Sequence, residues 1–255
     1  MVQASVGFHC PDCVASYRKA VPQARLRSEQ RPYATLGLIA LNVVVFAAGA
    51  LSDSSSVMSD GNPFAPDAGL FGPLVATGEW WRIVTSGFLH AGIFHLGMNM
   101  LALWLLGSQL EVAIGRIRYL GLYFASLFAG ALGVLLVDPT SLTVGASGAV
   151  FGLMGAAFAL QKRRGIDPWA SGVGGLIVVN LLFTFFYPGI SIGGHLGGLL
   201  GGMACGYALF QMEDRTSSVW PSIGVCAGIS VACIGLSLMV AGADDGLLSF
   251  LNLGG

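Results

Sequence analysis

Two short glycine-rich stretches carry the side chains of this chain that are best suited to nucleophilic and acid–base chemistry. Ser147 lies in Gly145-Ala146-Ser147-Gly148, and His195 lies in Gly193-Gly194-His195-Leu196-Gly197-Gly198, both in apolar segments. Ionisable groups at membrane depth are costly and usually mark function. A serine needs an adjacent base to become a nucleophile, and histidine is the most common one. The two stretches therefore favour a hydrolytic Ser147–His195 dyad.

The composition is that of a polytopic membrane protein. Of the 255 residues, 55% are hydrophobic and only 10% are charged, whereas an ordinary soluble domain carries about 25% charged residues. The net charge of −1 gives no electrostatic footprint for nucleic acid. The 38 glycines favour close approach of membrane helices.

The elements that must position the two stretches are apolar segments of about 15–23 residues, near the length that spans a ~30 Å hydrocarbon core. We predict an all-α, polytopic transmembrane helical bundle of seven segments. Their bounds are approximately 34–51, 94–110, 119–137, 147–160, 169–187, 194–210 and 219–241. A long loop rich in Asp, Ser, Pro and Gly separates the first two segments.

The distribution of basic residues predicts the orientation in the membrane. With the N-terminus in the cytoplasm, eleven of the twelve Lys and Arg residues lie on the cytoplasmic side, and only Arg82 lies outside. An odd number of spans then puts the C-terminus outside. We predict a multi-pass protein of the cell membrane.

This topology places four polar side chains at one level of the membrane. Segments two, four and six run in the same direction, so His95, Asn99, Ser147 and His195 all lie near the outer ends of their segments. Segment four is short, which either a serine recessed at the floor of a water-filled cavity or local thinning of the bilayer would accommodate. Segments four and six each carry small residues on one face, which predicts that they pack closely; these residues are Gly148, Gly152 and Gly155, and Gly194, Gly198, Gly202 and Gly206.

Simpler interpretations exist for each residue. An isolated serine at the start of a helix is most often an N-cap. A lone intramembrane histidine is usually a packing or proton-relay residue, and Asn99 could form an interhelical hydrogen bond. The co-occurrence of all four side chains favours the hydrolytic interpretation.

The motifs taken together resemble the rhomboid family of intramembrane serine proteases. The resemblance covers about residues 34–210, with the seventh segment as a C-terminal addition that some rhomboids have. It rests on the Ser147 stretch with the following Ala149-Val150-Phe151-Gly152, on His195 in its glycine setting, and on Trp81-Arg82, His90, His95, Asn99 and Glu111.

The resemblance implies a role for each of these residues. Ser147 would be the nucleophile and His195 the general base, with no acidic third member. His95 and Asn99 would support the oxyanion together with the Ser147 backbone N–H. Structural support would come from His90, Trp81, Arg82 and Phe151, the last by packing on the catalytic histidine.

The implied activity is that of an intramembrane serine endopeptidase that cleaves transmembrane-helix substrates near their outer ends. Its partners would be single-pass transmembrane proteins and the lipid bilayer, it would need no cofactor, and its oligomeric state stays open. Segment five and the loop 187–192 would be the gate and cap for a substrate that approaches from the lipid. Two other classes stay open: a catalytically inactive rhomboid-like protein that binds transmembrane partners, and a small transporter or channel, which would require internal repeats that the sequence does not show.

The N-terminal stretch His9-Cys10-Pro11-Asp12-Cys13 is a separate feature. A CxxC pair supplies half of a four-cysteine zinc site, but the other two ligands are absent nearby. The stretch resembles the end of cysteine-rich modules on some actinobacterial rhomboids and would then be a remnant of one. Zinc at Cys10 and Cys13 and a metal-free thiol pair both stay open.

These patterns predict three parts of the chain. Residues 1–33 form a basic cytoplasmic segment with the CxxC pair. Residues 34–211 form the six-helix core, and residues 212–255 contribute the seventh transmembrane helix and a short tail.

Overall fold

The computed structural model describes residues 2–3, 8–10, 31–58, 61–216 and 218–252. The chain divides into two units, one ending at Arg31 and one beginning at Pro32. In the first unit, strand β1 (Val2–Gln3) pairs antiparallel with strand β2 (Phe8–His9), and Cys10 follows with an exposed side chain.

The regular elements described in the second unit are helices, joined by turns and loops. In chain order its α-helices are α1 (Tyr33–Ser52), α2 (Ala65–Ala68), α3 (Gly72–Ala76), α4 (Arg82–Thr85), α5 (Gly92–Ala102), α6 (Ser108–Ile114), α7 (Arg116–Val137), α8 (Ser147–Arg163), α9 (Val173–Phe186), α10 (Ile192–Arg215) and α11 (Trp220–Asn252). Two 3₁₀ turns, Ser54–Val57 and Ser86–Phe88, lie in the long first loop. A π-helical stretch, Leu103–Gly107, joins α5 and α6 into one continuous helix.

Four of the described helical stretches are long and apolar enough to cross a membrane. They are Tyr33–Ser52, Gly92–Ile114, Arg116–Val137 and Trp220–Gly242, and the apolar helix α9 is shorter. Together with α8 and α10 they match the seven predicted segments in order. The predicted all-α, polytopic helical bundle is confirmed.

Several helix ends differ from the prediction, among them the end of α10, which reaches Arg215 and not about residue 210. Helix α8 continues past residue 160 to Arg163, where Lys162 and Arg163 complement the negative end of the helix dipole. Helix α9 begins at Val173 and not near 169, because Gly172 has a φ of +89° and breaks the backbone there. Helix α11 runs on to Asn252 and does not end near 241.

The centre of the bundle is a contact of three helices through small residues. A Cβ at Gly198 of α10 would overlap the backbone of Gly148 in α8, and one at Gly202 would overlap Gly152. The predicted close packing of segments four and six is therefore confirmed. Helix α7, which was not predicted at this contact, also takes part: its Gly130 and Gly133 bring its backbone against α8 and α10 at the same level.

Glu111, at the end of the second long helix, fixes the start of the first. Its buried carboxylate accepts hydrogen bonds from the backbone N–H groups of Ala34 and Thr35 at 3.0 and 2.8 Å, and from the Thr35 hydroxyl at 2.9 Å. These donors belong to the first turn of α1, where N–H groups have no intrahelical acceptor and anionic groups are favoured. Arg116 forms an ion pair with the same carboxylate at 3.3 Å.

Helix α11 packs on the outside of α7 and also contacts α3 and α10. Cys205 of α10 and Cys226 of α11 are both buried, and their Sγ atoms lie 3.6 Å apart. The seventh transmembrane helix, α11, thus packs against the six-helix core mainly through α7.

Candidate active site

Ser147 is the first residue of α8, at the end of an extended approach. Ala146 occupies the cap position and makes no side-chain cap, while its carbonyl accepts from Val150 N–H at 3.0 Å. The interpretation of Ser147 as a helix N-cap is therefore wrong. Its side chain is half-buried at the positive end of the helix, beside first-turn N–H groups that have no partner within the helix.

Gly145 shapes the approach to the serine. Its φ of +131° is a conformation that side-chain-bearing residues rarely adopt. A Cβ at this position would lie 2.9 Å from His95 Nε2 and 3.6 Å from Ser147 Oγ. Because Gly145 has no side chain, His95 and the serine hydroxyl face a shared space. The Gly145 N–H donates to the Ser86 carbonyl at 2.9 Å, which fixes the backbone at this position.

His195 lies in the first turn of α10. Ser191 caps this helix by accepting from Gly194 N–H at 3.1 Å. The imidazole stacks on the Phe151 ring with centroids 4.0 Å apart and an interplanar angle of 20°. Phe151 is one turn after Ser147 on α8, so its ring holds His195 on the face that carries the serine.

The other edge of the His195 ring meets α9. Thr184 Oγ1 lies 2.6 Å from His195 Nδ1, and both side chains are buried. Within the part of the chain that the structure describes, no hydrogen bond joins Ser147 Oγ to His195. Such contacts are often long without substrate and tighten in the reactive complex.

The starts of α8 and α10 touch through backbone atoms. A Cβ on Gly148 would lie 3.4 Å from the Gly194 carbonyl oxygen, and Gly130 of α7 packs against both residues. A cavity of about 30 Å³ lies beside this contact and is lined by Ser147, Gly145 and Ser191, among others. It is large enough for a water molecule.

His95 and Asn99 lie one turn apart on α5. His95 Nδ1 accepts a long hydrogen bond of 3.4 Å from Ala91 N–H, which leaves Nε2 as the protonated nitrogen and a donor. Asn99 is buried and donates from Nδ2 to the His95 carbonyl at 2.9 Å. Its observed partner is therefore within its own helix, and the second amide hydrogen stays available as a donor.

His90 precedes α5 and is completely buried against the His95 ring, with ring centroids 5.1 Å apart. Burial, and secondarily the nearby His95, lowers the pKa of His90 to about 3. The ring is therefore neutral at ordinary pH. Its backbone carbonyl accepts from Asn62 Nδ2 at 2.8 Å, which ties the first loop to the start of α5.

Arg82 organises the first loop. Its buried guanidinium donates to the carbonyls of Gly69 and Pro66, each at 2.8 Å, and pairs with Glu79. The Trp81 side chain is 40% exposed and its Nε1 lies 3.5 Å from the Asp67 carbonyl. Arg82 carries most of the contacts, and Trp81 contributes a weaker one.

The loop in turn braces the segment that leads to the serine. Leu70 and Thr143 exchange two backbone hydrogen bonds of 2.9 Å, and Gly72 N–H donates to the Pro139 carbonyl at 2.7 Å. The segment that precedes Ser147 is thus fixed by hydrogen bonds to a loop that lies more than sixty residues earlier in the chain.

Sequence reasoning missed Thr184, Ser86 and Gly130 at this site. Thr184 and Asn180 are four apart in an otherwise apolar segment, a spacing that could have indicated a polar face directed inward. Gly130 follows Ser126 by four residues, which is the small-residue spacing of close helix contacts. Ser86 acts through its backbone carbonyl, for which the sequence carries no signal.

The predicted zinc site at the N-terminal CxxC pair is a further question. Cys10 is exposed, and Cys13 lies outside the described residues. The described part of the chain contains no group of three or more His, Cys, Asp or Glu side chains that could hold a metal ion. Zinc at Cys10 and Cys13 stays a prediction.

The fold and the site define a multi-pass helical membrane protein that carries a serine and a histidine at the starts of two closely packed helices, with a small cavity beside the serine. A family model described as the rhomboid domain matches residues 77–212, more than half of the chain. The chain belongs to the rhomboid family.

Several relatives are named as rhomboid proteases. The chain is 38% identical over 126 residues to rhomboid protease GluP of Bacillus subtilis (strain 168), which covers 48% of this chain and 25% of that protein. It is 34% identical over 145 residues to the putative rhomboid protease YdcA of the same organism, covering 55% and 73%. It is 32% identical over 172 residues to rhomboid-related protein 2 of Mus musculus, covering 61% and 57%. The chain therefore spans a quarter of the first relative and just over half of the third.

Proposed function

We propose that this protein is an intramembrane serine endopeptidase that cleaves transmembrane-helix substrates by a Ser147–His195 dyad. The observation that carries the proposal is the stacking of His195 on Phe151, 4.0 Å between centroids, one helical turn from Ser147. This stacking supports His195 as the base, because it holds the imidazole against the face of α8 that also carries Ser147. Membership of a family with relatives named as proteases supports the same reaction class.

The reaction has two half-steps. The Ser147 hydroxyl adds to the scissile carbonyl while its proton passes to His195 Nε2, and the imidazolium then protonates the departing amine as the C–N bond breaks. A water molecule hydrolyses the resulting acyl-enzyme, with the same nitrogen taking its proton and returning it to Ser147. The small cavity beside Ser147 supports the entry of that water.

Oxyanion stabilisation falls to the groups that surround the serine. The Ser147 backbone N–H lies at the open end of α8, and His95 Nε2 faces the space left by Gly145. Asn99 has one amide hydrogen beyond its contact with the His95 carbonyl. Donors in such positions each contribute about 3–4 kcal/mol to the transition state.

Substrate would reach the site between α9 and the rest of the bundle. Much of the surface of α9 is not covered by neighbouring helices: Phe183 is 63% exposed and Phe186 is 82% exposed. We propose that α9 and residues 187–192 act as gate and cap for single-pass transmembrane substrates. The substrate must unwind locally, because a helical carbonyl is already hydrogen-bonded.

The cellular setting completes the proposal. The protein lies in the cell membrane with its N-terminus in the cytoplasm and its C-terminus outside, and cleaves near the outer face. Residues 34–211 form the protease core, 1–33 precede it as a cytoplasmic segment, and 212–255 add the seventh helix and a tail. The proposed chemistry uses only groups of the protein and water, and it requires no cofactor.

The test compares wild type with Ser147→Ala and His195→Ala, purified in detergent and reconstituted with a generic transmembrane substrate. Each protein is also treated with a fluorophosphonate, which labels activated serines without any need for the natural substrate. We expect cleavage and an adduct on Ser147 in wild type only. A drop of at least ~10²-fold is expected in either variant, because a general base alone contributes about 10²–10⁴-fold.

Ser141→Ala is the matched control, since Ser141 is an exposed serine in the loop before α8. It should cleave and label like wild type. Cleavage that survives Ser147→Ala would refute the nucleophile. A folded wild type that neither cleaves nor labels would favour the alternative, a catalytically inactive rhomboid-like protein that binds transmembrane partners.

A further inference from the structure

The side chain of His195 has one hydrogen-bond partner among the described residues, and this partner is a hydroxyl and not a carboxylate. Thr184 Oγ1 lies 2.6 Å from His195 Nδ1. The threonine is 2% exposed and the histidine 8% exposed, so water competes little for this contact. The pair joins α9 to α10, two helices that contact each other sparingly.

The direction of this hydrogen bond follows from the second contact of the hydroxyl. Thr184 Oγ1 also lies 2.8 Å from the Asn180 carbonyl oxygen, one turn earlier in α9. A carbonyl can only accept, so the single hydroxyl proton points to Asn180. The lone pairs of Oγ1 therefore face His195, and Nδ1 must carry the hydrogen that is shared between them.

This arrangement selects one tautomer of the neutral imidazole. With Nδ1 protonated, Nε2 holds a free lone pair and can accept a proton. The ring is also fixed in orientation, because Phe151 stacks on its face while Thr184 holds one edge. A histidine that acts as a base requires a free lone pair and a fixed ring orientation. In many sites a third residue, bound to the other ring nitrogen, supplies both.

The position of Thr184 in its helix adds an electrostatic contribution. It lies in the last turn of α9, which ends at Phe186. The carbonyl end of a helix is negative and favours a nearby cation. The imidazolium that forms when His195 accepts a proton is therefore stabilised through the chain from Nδ1–H to Thr184 and on to the Asn180 carbonyl.

We propose that Thr184 is the positioning residue for His195: its hydroxyl accepts Nδ1–H and keeps Nε2 unprotonated. Its consequence for catalysis rests on the proposed Ser147–His195 dyad, whereas the tautomer itself does not. Because Thr184 belongs to α9, the group that prepares the base also lies on the helix proposed as the gate.

The experiment combines two readouts on Thr184→Val and Thr184→Ser. The first is ¹⁵N NMR of histidine-labelled protein in micelles, with the His195 signals assigned by their loss in His195→Ala. We expect Nδ1–H in wild type and in Thr184→Ser, and a shift towards Nε2–H in Thr184→Val. The second is cleavage kinetics: we expect kcat to fall on the order of 10–100-fold in Thr184→Val with KM little changed, and Thr184→Ser to retain most activity.

Ser230→Ala is the control for losing a hydrogen bond from a side-chain hydroxyl to the carbonyl four residues earlier in the same helix. Ser230 Oγ donates to the carbonyl of Cys226 at 2.8 Å in α11, away from the site, and its removal should leave both readouts unchanged. Nε2–H in wild type, or an unchanged tautomer in Thr184→Val, would overturn the proposal whether or not the protein cleaves. An inactive wild type with the expected tautomers would overturn the dyad alone. An active wild type with an unaffected Thr184→Val would overturn the positioning role.

Discussion

His90 shows how burial fixes the chemistry of a single residue near the site. It lies before the start of α5 with no exposed surface and faces the ring of His95. Neither of its ring nitrogens has a hydrogen-bond partner among the described residues. A neutral ring tolerates this setting far better than a charged one, because burial penalises the charged form.

The pH dependence of stability follows from this shift. In the unfolded chain a histidine has a pKa near 6.5, whereas the folded pKa of His90 is about 3. The unfolded state therefore binds more protons between these values, so the stability is complete above about pH 6.5 and is lost as the pH falls towards 3. We expect His90→Gln to be less stable at neutral pH but to show a shallower loss on acidification. Thermal unfolding midpoints of wild type and His90→Gln in detergent, measured between pH 4 and pH 7, test this prediction. Equal slopes of the two midpoints against pH would contradict it.

At the scale of elements, the contact between α8 and α10 depends on the absence of side chains. Gly202 is an instructive position, since a Cβ there would overlap the backbone of Gly152. Backbone cannot move aside as the end of a flexible side chain can. Overfilling a packed interior costs about 1–3 kcal/mol.

Gly202→Ala should therefore lower the free energy of unfolding by about 1–3 kcal/mol and reduce activity, because α8 and α10 carry Ser147 and His195. Gly228→Ala is the matched control: it is the same substitution in α11, where nothing lies within 4 Å of the added Cβ. The control should be neutral or slightly stabilising, since alanine favours helix more than glycine does. Unfolding midpoints in one detergent decide the comparison, and equal effects of the two changes would count against a specific packing role.

At the scale of the whole molecule, the distribution of Lys and Arg predicts which end of the bundle faces the cytoplasm. Ser147, His95 and His195 meet at one end, and Lys162, Arg163 and Arg164 follow α8 at the other. Basic loops are retained on the cytoplasmic side. We therefore propose that the site lies in the outer half of the membrane.

Labelling with a membrane-impermeant maleimide tests this orientation in intact cells. In a background with all five cysteines changed to alanine, Thr140→Cys should react and Asp167→Cys should not until the membrane is broken. Both positions are exposed in loops, at opposite ends of α8. The reverse pattern would invert the topology and move the proposed cleavage to the cytoplasmic face.

Much of this protein could be anticipated from its sequence. Apolar segment length set the number and order of the long helices, because a bilayer core demands about twenty apolar residues from a spanning helix. Small residues four apart identified the contact of α8 with α10, because only glycine permits backbones to touch. The serine and histidine were singled out because polar chemistry is rare and costly at this depth.

Tertiary structure decided what depends on neighbours distant in the chain. It placed Thr184 beside His195, packed α7 against α8 and α10, and used the Glu111 carboxylate to satisfy the start of α1. It also braced the approach to Ser147 with the Leu70–Thr143 pairing. The physical reason is that apolar periodicity records whether a residue prefers the interior, whereas hydrogen-bond direction and ring orientation depend on which atoms the fold brings within about 3 Å.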